Sequence, residues 1–165
     1  NYTRTIPLCM DVFKTFNEPW FATKNRLGET ISNGWTPLTA GFEFAIRRLI
    51  TRREHRKLLF IITDGMPNGC LDVVALDRWH TYTDECEKQG KVPDTDQKWE
   101  PYLEILQTQI NEAESAGIEV IVIGVGAGAE YVKTLAPKHY VYAEDFEKLP
   151  IQVVQRLSEM LLWAA

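Results

Sequence analysis

The sequence lacks the features that mark a membrane protein, a disulfide-stapled protein or a zinc protein. No apolar run approaches the roughly 20 residues that a membrane-spanning helix needs, so we expect no membrane partner. The three cysteines (Cys9, Cys70 and Cys86) are widely spaced and form no C-x-x-C pair, which favours a reducing compartment and hence a cytoplasmic location. The three histidines never stand at a metal-ligand spacing, so we expect no zinc site.

Positive charge is also in short supply. Eighteen lysines and arginines stand against 23 acidic residues, which leaves a net charge of -5. This balance argues against a general nucleic-acid binder and against a protein that binds anionic membranes. The basic cluster at residues 52–57 is therefore interpreted as a solvated turn at a helix end, with a phosphate or nucleic-acid contact as the alternative.

The rest of the composition is that of an ordinary globular domain. The 165 residues, 45% of them hydrophobic, are enough to bury a sizeable core. We therefore expect a single domain over residues 1–165. A polar stretch at about 66–99, with two prolines and two glycines, is predicted to be an insertion in it, and residues 71–87 of that insertion are interpreted as wholly or partly helical.

Two continuous apolar runs indicate a parallel sheet. Residues 57–63 and 118–125 are apolar with polar ends, the pattern of strands covered on both faces. Weaker strand patterns occupy residues 4–16 and 139–142. Helical spacing of apolar residues predicts helices at about 37–51, 101–116, 129–135 and 150–163, the last with Ile151, Val154, Leu157 and Leu161 inward. This alternation predicts an α/β fold, Rossmann-like, with a mostly parallel central sheet flanked by helices.

Two polar segments stand where such a sheet would bind a ligand. Thr36 precedes Pro37 at the start of a helix, and Asp64 follows the strand at 57–63 just before Gly65. Loops at the carboxyl ends of parallel strands lie together, and open α/β folds bind ligands there. A hydroxyl and a carboxylate at that edge suit a hard divalent cation. The plainer alternatives are a helix N-cap for Thr36 and an ordinary turn for Asp64-Gly65.

The order of these motifs resembles a known family. Gly34-Trp35-Thr36-Pro37-Leu38, an amphipathic helix, a basic turn, an apolar strand, Thr63-Asp64-Gly65, a helix and the Ile-Val-Ile-Gly-Val-Gly of residues 121–126 follow one another. This succession resembles the von Willebrand factor A-type (vWA) domain. The resemblance covers the chain from about residue 10 to residue 163.

Within that family the chain is most similar to one group. Phe16–Trp20 ahead of Asn33–Leu38, followed by Arg56–Leu59 and Thr63–Pro67, resembles the carboxy-terminal domain of the cobaltochelatase CobT subunit and its bacterial and phage relatives. The resemblance implies a non-catalytic protein-interaction domain, linked in that group to cobalamin biosynthesis. It implies a protein partner, with an AAA+ ATPase-type subunit as one candidate.

The resemblance also implies a metal site. Domains of this family bind Mg²⁺, or a similar ion such as Mn²⁺ or Ca²⁺, at a metal-ion-dependent adhesion site (MIDAS), where an acidic group of the partner completes the coordination. By position, Thr36 and Asp64 match two of the family's ligands. Thr63, Asn68 and Trp35 stand beside them as weaker candidates for supporting the site or contacting the partner.

The chain departs from the family in one respect. The remaining ligands come from a D-x-S-x-S motif after the first strand, and no such motif occurs in the 165 residues. We expect that the chain lacks the family's first strand and first helix; the alternative is a member that has lost the motif. A sheet without that strand would expose an unpaired edge and an apolar face.

Two further functions stay open. Residues 124–129 match G-x-G-x-x-A after a strand, and Glu144 lies 20 residues beyond Gly124. This is the form of a dinucleotide-binding fingerprint and predicts, as an alternative, a nucleotide-binding oxidoreductase that uses Gly124, Gly126 and Glu144. The plainer interpretation is a glycine turn, since the following helix is short and Pro137 ends it. The last alternative is a structural vWA module with a degenerate metal site.

Overall fold

The computed structural model describes residues 10–29, 37–65 and 73–162. Contacts within the chain divide it into two units, Asn1–Thr36 and Pro37–Ala165. The single domain over residues 1–165 stays a prediction. Within the described ranges, no helix combines the length and the apolar character that a membrane crossing requires.

The smaller unit is irregular and helical over its described residues. It contains helix α1 (Trp20–Thr23) and a 3-10 helix at Lys24–Glu29. The predicted strand at 4–16 is wrong over residues 10–16, which have no strand structure, and its residues 4–9 lie outside the described part. The two helical segments at Trp20–Glu29 are not among the predicted helices.

A local hydrogen bond at Thr15 competes with strand pairing at the end of this segment. The Glu18 carboxylate accepts from the backbone N–H of Thr15 (2.7 Å) and pairs with Arg26 (2.9 Å). These bonds lower the pKa of Glu18 to about 2, and the bond from Thr15 has the largest effect. Side chains that bond nearby backbone groups offer the chain an alternative to strand pairing, and a pattern of alternating residues does not reveal that competition.

The larger unit alternates helices and strands. Its elements are α2 (Leu38–Ile50), β1 (Lys57–Thr63), α3 (Val73–Lys88), α4 (Glu100–Ser115), β2 (Ile118–Val125), α5 (Val132–Leu135), β3 (Tyr140–Ala143) and α6 (Leu149–Leu162). The predicted α/β class is confirmed, and so is a helix within the polar stretch at 66–99. The short helix predicted from 129 begins as a 3-10 turn at Ala127–Ala129 and becomes α-helical only at Val132.

The three described strands form one open parallel sheet in the order β1-β2-β3. The β1–β2 register runs from Lys57 opposite Ile118 to Thr63 opposite Gly124. Since all strands are parallel, their carboxyl ends meet at one edge of the sheet. We call this edge, formed by the segments after β1, β2 and β3, the carboxyl edge.

One face of the sheet carries the larger core. Helices α2, α4 and α5 pack there, and the first two contribute Phe42, Ile46, Leu106 and Ile110. The sheet contributes alternate residues of β1 and β2 to the same core: Leu59, Ile61, Val120 and Val122. This is the layer of helices that a buried parallel sheet requires.

The opposite face is covered by α6 over β2 and β3, and Leu58 of β1 packs against the same cluster. Leu149, Val153 and Leu157 of α6 pack on Ile121, Ile123, Val125 and Val141 of the sheet. The prediction that Ile151 and Val154 face inward is wrong, since their side chains are 65% and 61% exposed. Two apolar stripes run along this helix, and only the packing decides which one faces the sheet.

Strand β1 is covered on one face and only partly on the other, where Leu58 packs against the α6 core. Phe60 and Ile62, which point to the α6 side of the sheet, are 37% and 66% exposed. The prediction that this strand is covered on both faces is therefore wrong, although its parallel pairing is confirmed. Among the described residues, no strand pairs with the edge of β1 that faces away from β2. We call this edge the free edge of β1.

An ion pair joins the beginnings of β1 and β2. Arg56 donates Nε to Glu119 Oε1 (2.7 Å) and Nη2 to Oε2 (2.9 Å). The guanidinium lowers the pKa of Glu119 below its ordinary value of 4.5. Both side chains are partly exposed, so the pair contributes modestly to stability.

We expect Glu119→Gln to lower the free energy of unfolding at neutral pH by about 0.2–1 kcal/mol, the range of exposed ion pairs. Because the pKa of Glu119 is depressed in the folded state, the contribution is complete above pH 4.5 and disappears as the pH falls through the lower folded value. Urea unfolding of both proteins at several pH values measures this. The exposed Glu112→Gln on α4 is the matched control, and an equal loss there, or a difference that persists in strong acid, would contradict the prediction.

Candidate functional site

The turn after β1 places an acidic side chain at the carboxyl edge. Asp64 is exposed and directly follows Thr63, the last residue of the strand. The Thr63 hydroxyl donates to the Gly65 carbonyl at 2.8 Å. This bond closes the turn around Asp64, so that the carboxylate projects from a short, tied segment.

The segment after β2 packs against this turn. A Cβ placed on Gly128 would lie 3.5 Å from the Asp64 carbonyl oxygen and from the Gly65 Cα. The Tyr131 hydroxyl reaches the same turn, donating to the Gly65 carbonyl at 3.1 Å and lying 3.4 Å from Thr63 Oγ1. The Gly65 carbonyl thus accepts from two hydroxyls, and the ends of β1 and β2 form one joined surface.

The charge of Asp64 also affects the pKa of the Tyr131 phenol. Its pKa is raised, chiefly because the side chain is partly buried. The hydrogen bond to Thr63 lowers the pKa, and the negative charge of Asp64 raises it. A raised pKa keeps the phenol protonated at neutral pH, so Tyr131 acts there as a hydrogen-bond donor.

The turn after β1 offers a cation one carboxylate, that of Asp64. No cluster of three or more histidine, cysteine, aspartate or glutamate residues occurs in the described ranges. Thr36, Trp35 and Asn68, the other residues predicted at or beside the site, lie outside them. A single carboxylate fits an ion such as Mg²⁺, which keeps several of its waters and uses one or two carboxylates of the protein. It does not fit a closed cage of protein ligands.

The two glycines of the alternative dinucleotide site serve packing and a turn within the protein. A Cβ on Gly124 would lie 2.7 Å from the Ala129 carbonyl oxygen and 2.8 Å from Val132 Cγ2, so the residue must be small for the chain to fold back on β2. Gly126 has φ +82°, which favours glycine. Its N–H donates to the Ala143 carbonyl at 2.9 Å.

The remaining part of that fingerprint lacks the helix that would hold a pyrophosphate. The segment after Gly126 is a three-residue 3-10 helix followed by the four-residue α5. Glu144 is exposed just after β3, two strands away from Asp64. The geometry therefore assigns Gly124 and Gly126 to packing and to a turn, and no described contact favours the oxidoreductase alternative.

The basic cluster at 52–57 pairs with acids of the same chain. Arg52 forms an ion pair with Glu54, and Arg56 with Glu119. Both pairs lie at the amino end of β1, at the opposite end of the sheet from Asp64. These contacts favour the interpretation as a solvated turn.

Sequence reasoning missed Tyr131. The residue lies 67 positions from Asp64 along the chain, and it resembles any aromatic residue beside a short helix. Only the β1–β2 register brings it to the turn. A polar aromatic residue just after a glycine-rich segment that leaves a buried strand is the one signal that points to it.

We expect Gly124→Ala to destabilise the protein by about 1–3 kcal/mol, the cost of overpacking a tight site, because the added methyl group meets backbone as well as a side chain. Thermal unfolding measures the effect. Gly65→Ala is the control, since nothing lies within 4 Å of its Cβ position and its φ is unstrained. Equal stability of the two variants would show that Gly124 is not required for packing.

Tyr131→Phe removes the second donor to the Gly65 carbonyl and leaves the ring in place. We expect a loss of about 0.5–1.5 kcal/mol, typical of one hydrogen bond, in chemical unfolding. Tyr82→Phe, which removes a hydroxyl bonded to the backbone N–H of Asp94 away from the carboxyl edge, is a control for hydroxyl loss. Faster hydrogen exchange at residues 63–65 in the Tyr131 variant alone is the specific result, and unchanged exchange there would contradict the role of Tyr131.

The chain matches no protein-family model, and comparison with curated proteins and with solved structures gives no match.

Proposed function

We propose that this chain is a non-catalytic protein-interaction domain of the vWA type that holds a divalent cation at its carboxyl edge. Asp64 is a ligand of the cation, directly or through water, and Thr36 is the second ligand from this chain. A carboxylate of a partner protein completes the coordination. The observation that carries the proposal is the exposed Asp64 on a tied turn at the carboxyl end of a parallel strand.

The turn around Asp64 supports a binding role because it is held before any ligand arrives. The hydroxyls of Thr63 and Tyr131 both donate to the Gly65 carbonyl, and Gly128 packs against the same backbone. A carboxylate on a tied turn loses less conformational entropy on binding than one on a mobile loop. Thr63 and Tyr131 thus act as positioning residues in this proposal.

The order and packing of the helices favour the presence of a further strand, carrying metal ligands, beside Asp64. Helix α2 precedes β1 and packs on the same face of the sheet as α4, which connects β1 to β2. Crossover connections in parallel sheets share one hand. A parallel strand preceding α2 would therefore lie on the free edge of β1, and its carboxyl end would stand next to Asp64. The D-x-S-x-S loop of the resembled family would occupy this position.

The proposed site binds a partner protein through the cation and catalyses no reaction. A hard cation prefers oxygen ligands and retains waters that neighbouring hydroxyls can hold. A partner carboxylate that replaces one of these waters gains a charge-assisted contact, so that cation and partner bind cooperatively. The resemblance to the cobaltochelatase CobT subunit suggests an AAA+ ATPase-type subunit as the partner. Trp35 and Asn68 are candidates for contacts around the cation.

We expect Mg²⁺ or Mn²⁺ to raise the melting temperature of the protein, and Asp64→Asn to abolish the rise. A cation at ten times its dissociation constant stabilises the folded state by about 1.4 kcal/mol, or roughly 3–5 °C in a domain of this size. Differential scanning fluorimetry over a titration of MgCl₂, at constant ionic strength, measures the shift.

Asp84→Asn is the matched control, because Asp84 is an exposed acid on α3 and its loss should leave the Mg²⁺ response unchanged. A Mg²⁺ response that survives in the Asp64 variant would contradict the proposed ligand. The absence of any response in the native chain would favour the structural module without a working metal site.

A further inference from the structure

We propose that a cleft beside β3 binds an extended peptide, which joins the sheet as a further strand through main-chain hydrogen bonds. The cleft has a volume of about 370 Å³ and lies between the strand and helix α6. This volume is within the range of ligand sites in proteins. Strand β3 is at the opposite side of the sheet from β1, so the inference rests neither on the proposed metal site nor on the free edge of β1.

One strand and one face of a helix line the cleft. Residues 140–142 of β3 form one wall, and Gln152, Gln155, Arg156 and Glu159 of α6 form the other. These four residues follow the spacing i, i+3, i+4 and i+7, so they share one face of the helix. All of these lining residues lie in the described part of the chain. The cleft therefore borders a sheet edge, the place where extended peptides add to a sheet as strands.

The main-chain groups of β3 alternate between β2 and the cleft. The N–H of Val122 donates to the His139 carbonyl at 3.0 Å, so His139 and every second residue after it direct these groups to β2. The N–H and C=O groups of Tyr140 and Tyr142 point the other way. Within the described ranges no strand pairs with them. A peptide in the cleft would find two main-chain donors and two main-chain acceptors there.

Two buried side-chain atoms at the cleft lack a hydrogen-bond partner among the described residues. They are Oε1 of Gln152, an acceptor, and Nε of Arg156, a donor. Buried polar atoms are nearly always hydrogen-bonded, so an unpaired one needs an explanation. A peptide group supplies an N–H and a C=O, the two groups that these atoms lack. The Gln152 side chain is only partly buried, and a turn of its terminal amide brings Oε1 to the cleft.

The charges in the cleft are balanced, which favours a peptide main chain over a charged ligand. The Arg156 guanidinium pairs with Glu159 at 2.7 Å and also donates to the Lys138 carbonyl. Its charge is therefore already compensated, and a phosphate or a carboxylate would gain little from it. The net charge of -5 argues in the same way against a nucleic acid. The two glutamines on the helix wall are neutral groups that bond a peptide well.

The two tyrosines of β3 indicate which side chains the peptide carries. Tyr140 and Tyr142 share one face of the strand, whereas Val141 points to the other face and packs with α6. Alternate residues of an added strand would lie beside the two tyrosine rings, and pairs of aromatic and β-branched residues stabilise a sheet. The residues between them would face the glutamines of α6. We therefore expect the peptide to alternate β-branched apolar residues with small polar ones.

A nuclear magnetic resonance titration of the full 165-residue chain tests the proposal. The probe is a capped peptide of about six residues, a common strand length, that alternates valine and threonine. We expect saturable shifts at the amides of residues 140–142 and 152–159. The matched probe is the same peptide with every main-chain nitrogen methylated, which removes its donors, and we expect it not to bind. EDTA in the buffer separates the result from any binding of metal.

Two substitutions test the contacts. Gln152→Ala removes an acceptor from the cleft, and we expect it to weaken binding of the peptide by about fivefold to tenfold, the effect of one hydrogen bond. Gln97→Ala is the matched control: Gln97 is exposed on a 3-10 helix outside the cleft, so this variant should bind like the native chain. Tyr140→Pro removes an N–H that points away from β2, a change that an edge strand tolerates. It should bind the peptide about fivefold more weakly than Tyr140→Ala, which keeps the N–H.

Circular dichroism establishes that each variant folds, and the two probes test the native chain without any substitution. The absence of saturable binding, shifts outside the cleft, or equal binding of the methylated peptide would overturn the proposal. Binding that neither Gln152→Ala nor Tyr140→Pro weakens would overturn it as well. Shifts at the cleft with a single-stranded oligonucleotide, and none with the peptide, would assign the cleft to a different class of ligand and contradict the inference.

Discussion

The structure of the larger unit depends on the parallel pairing of β1 with β2. Seven residues of each strand pair in one register, and this register sets Thr63 opposite Gly124. The turn at Asp64 and the glycine-rich segment after β2 therefore leave the sheet side by side. The close approach of Gly128 to this turn and the Tyr131 hydrogen bond both follow from that alignment. A shift by one residue would move every side chain of β1 to the other face and separate the parts of the candidate site.

The unequal covering of the sheet decides where the molecule can bind. Strand β2 is buried along nearly its whole length. In contrast, Phe60 and Ile62 of β1 are exposed, and within the described ranges no strand pairs with the edge of β1 that faces away from β2. Asp64 belongs to this open side of the sheet. The proposed cation site therefore lies beside the exposed apolar residues of β1.

Continuous apolar runs were the best guide to the fold. The predicted strands at 57–63 and 118–125 match the bounds of β1 and β2, and α4 lies within one residue of its prediction. A long apolar run between polar residues is buried in any compact fold, so local information suffices. The alternating pattern before Phe16 was a weaker guide, because the local bonds of Glu18 compete with a strand there.

By itself, the sequence determined the α/β class, the parallel strands and the position of Asp64 at the end of one of them. Each of these follows from the local order of apolar and polar residues. Only the tertiary structure decided that Leu149 and Val153, rather than Ile151 and Val154, face the sheet. It also decided that position 124 must be glycine because Ala129 packs closely against it, and that Tyr131 holds the turn beside Asp64. These features are contacts that form only when the elements pack together, and the local order of apolar and polar residues does not reveal them.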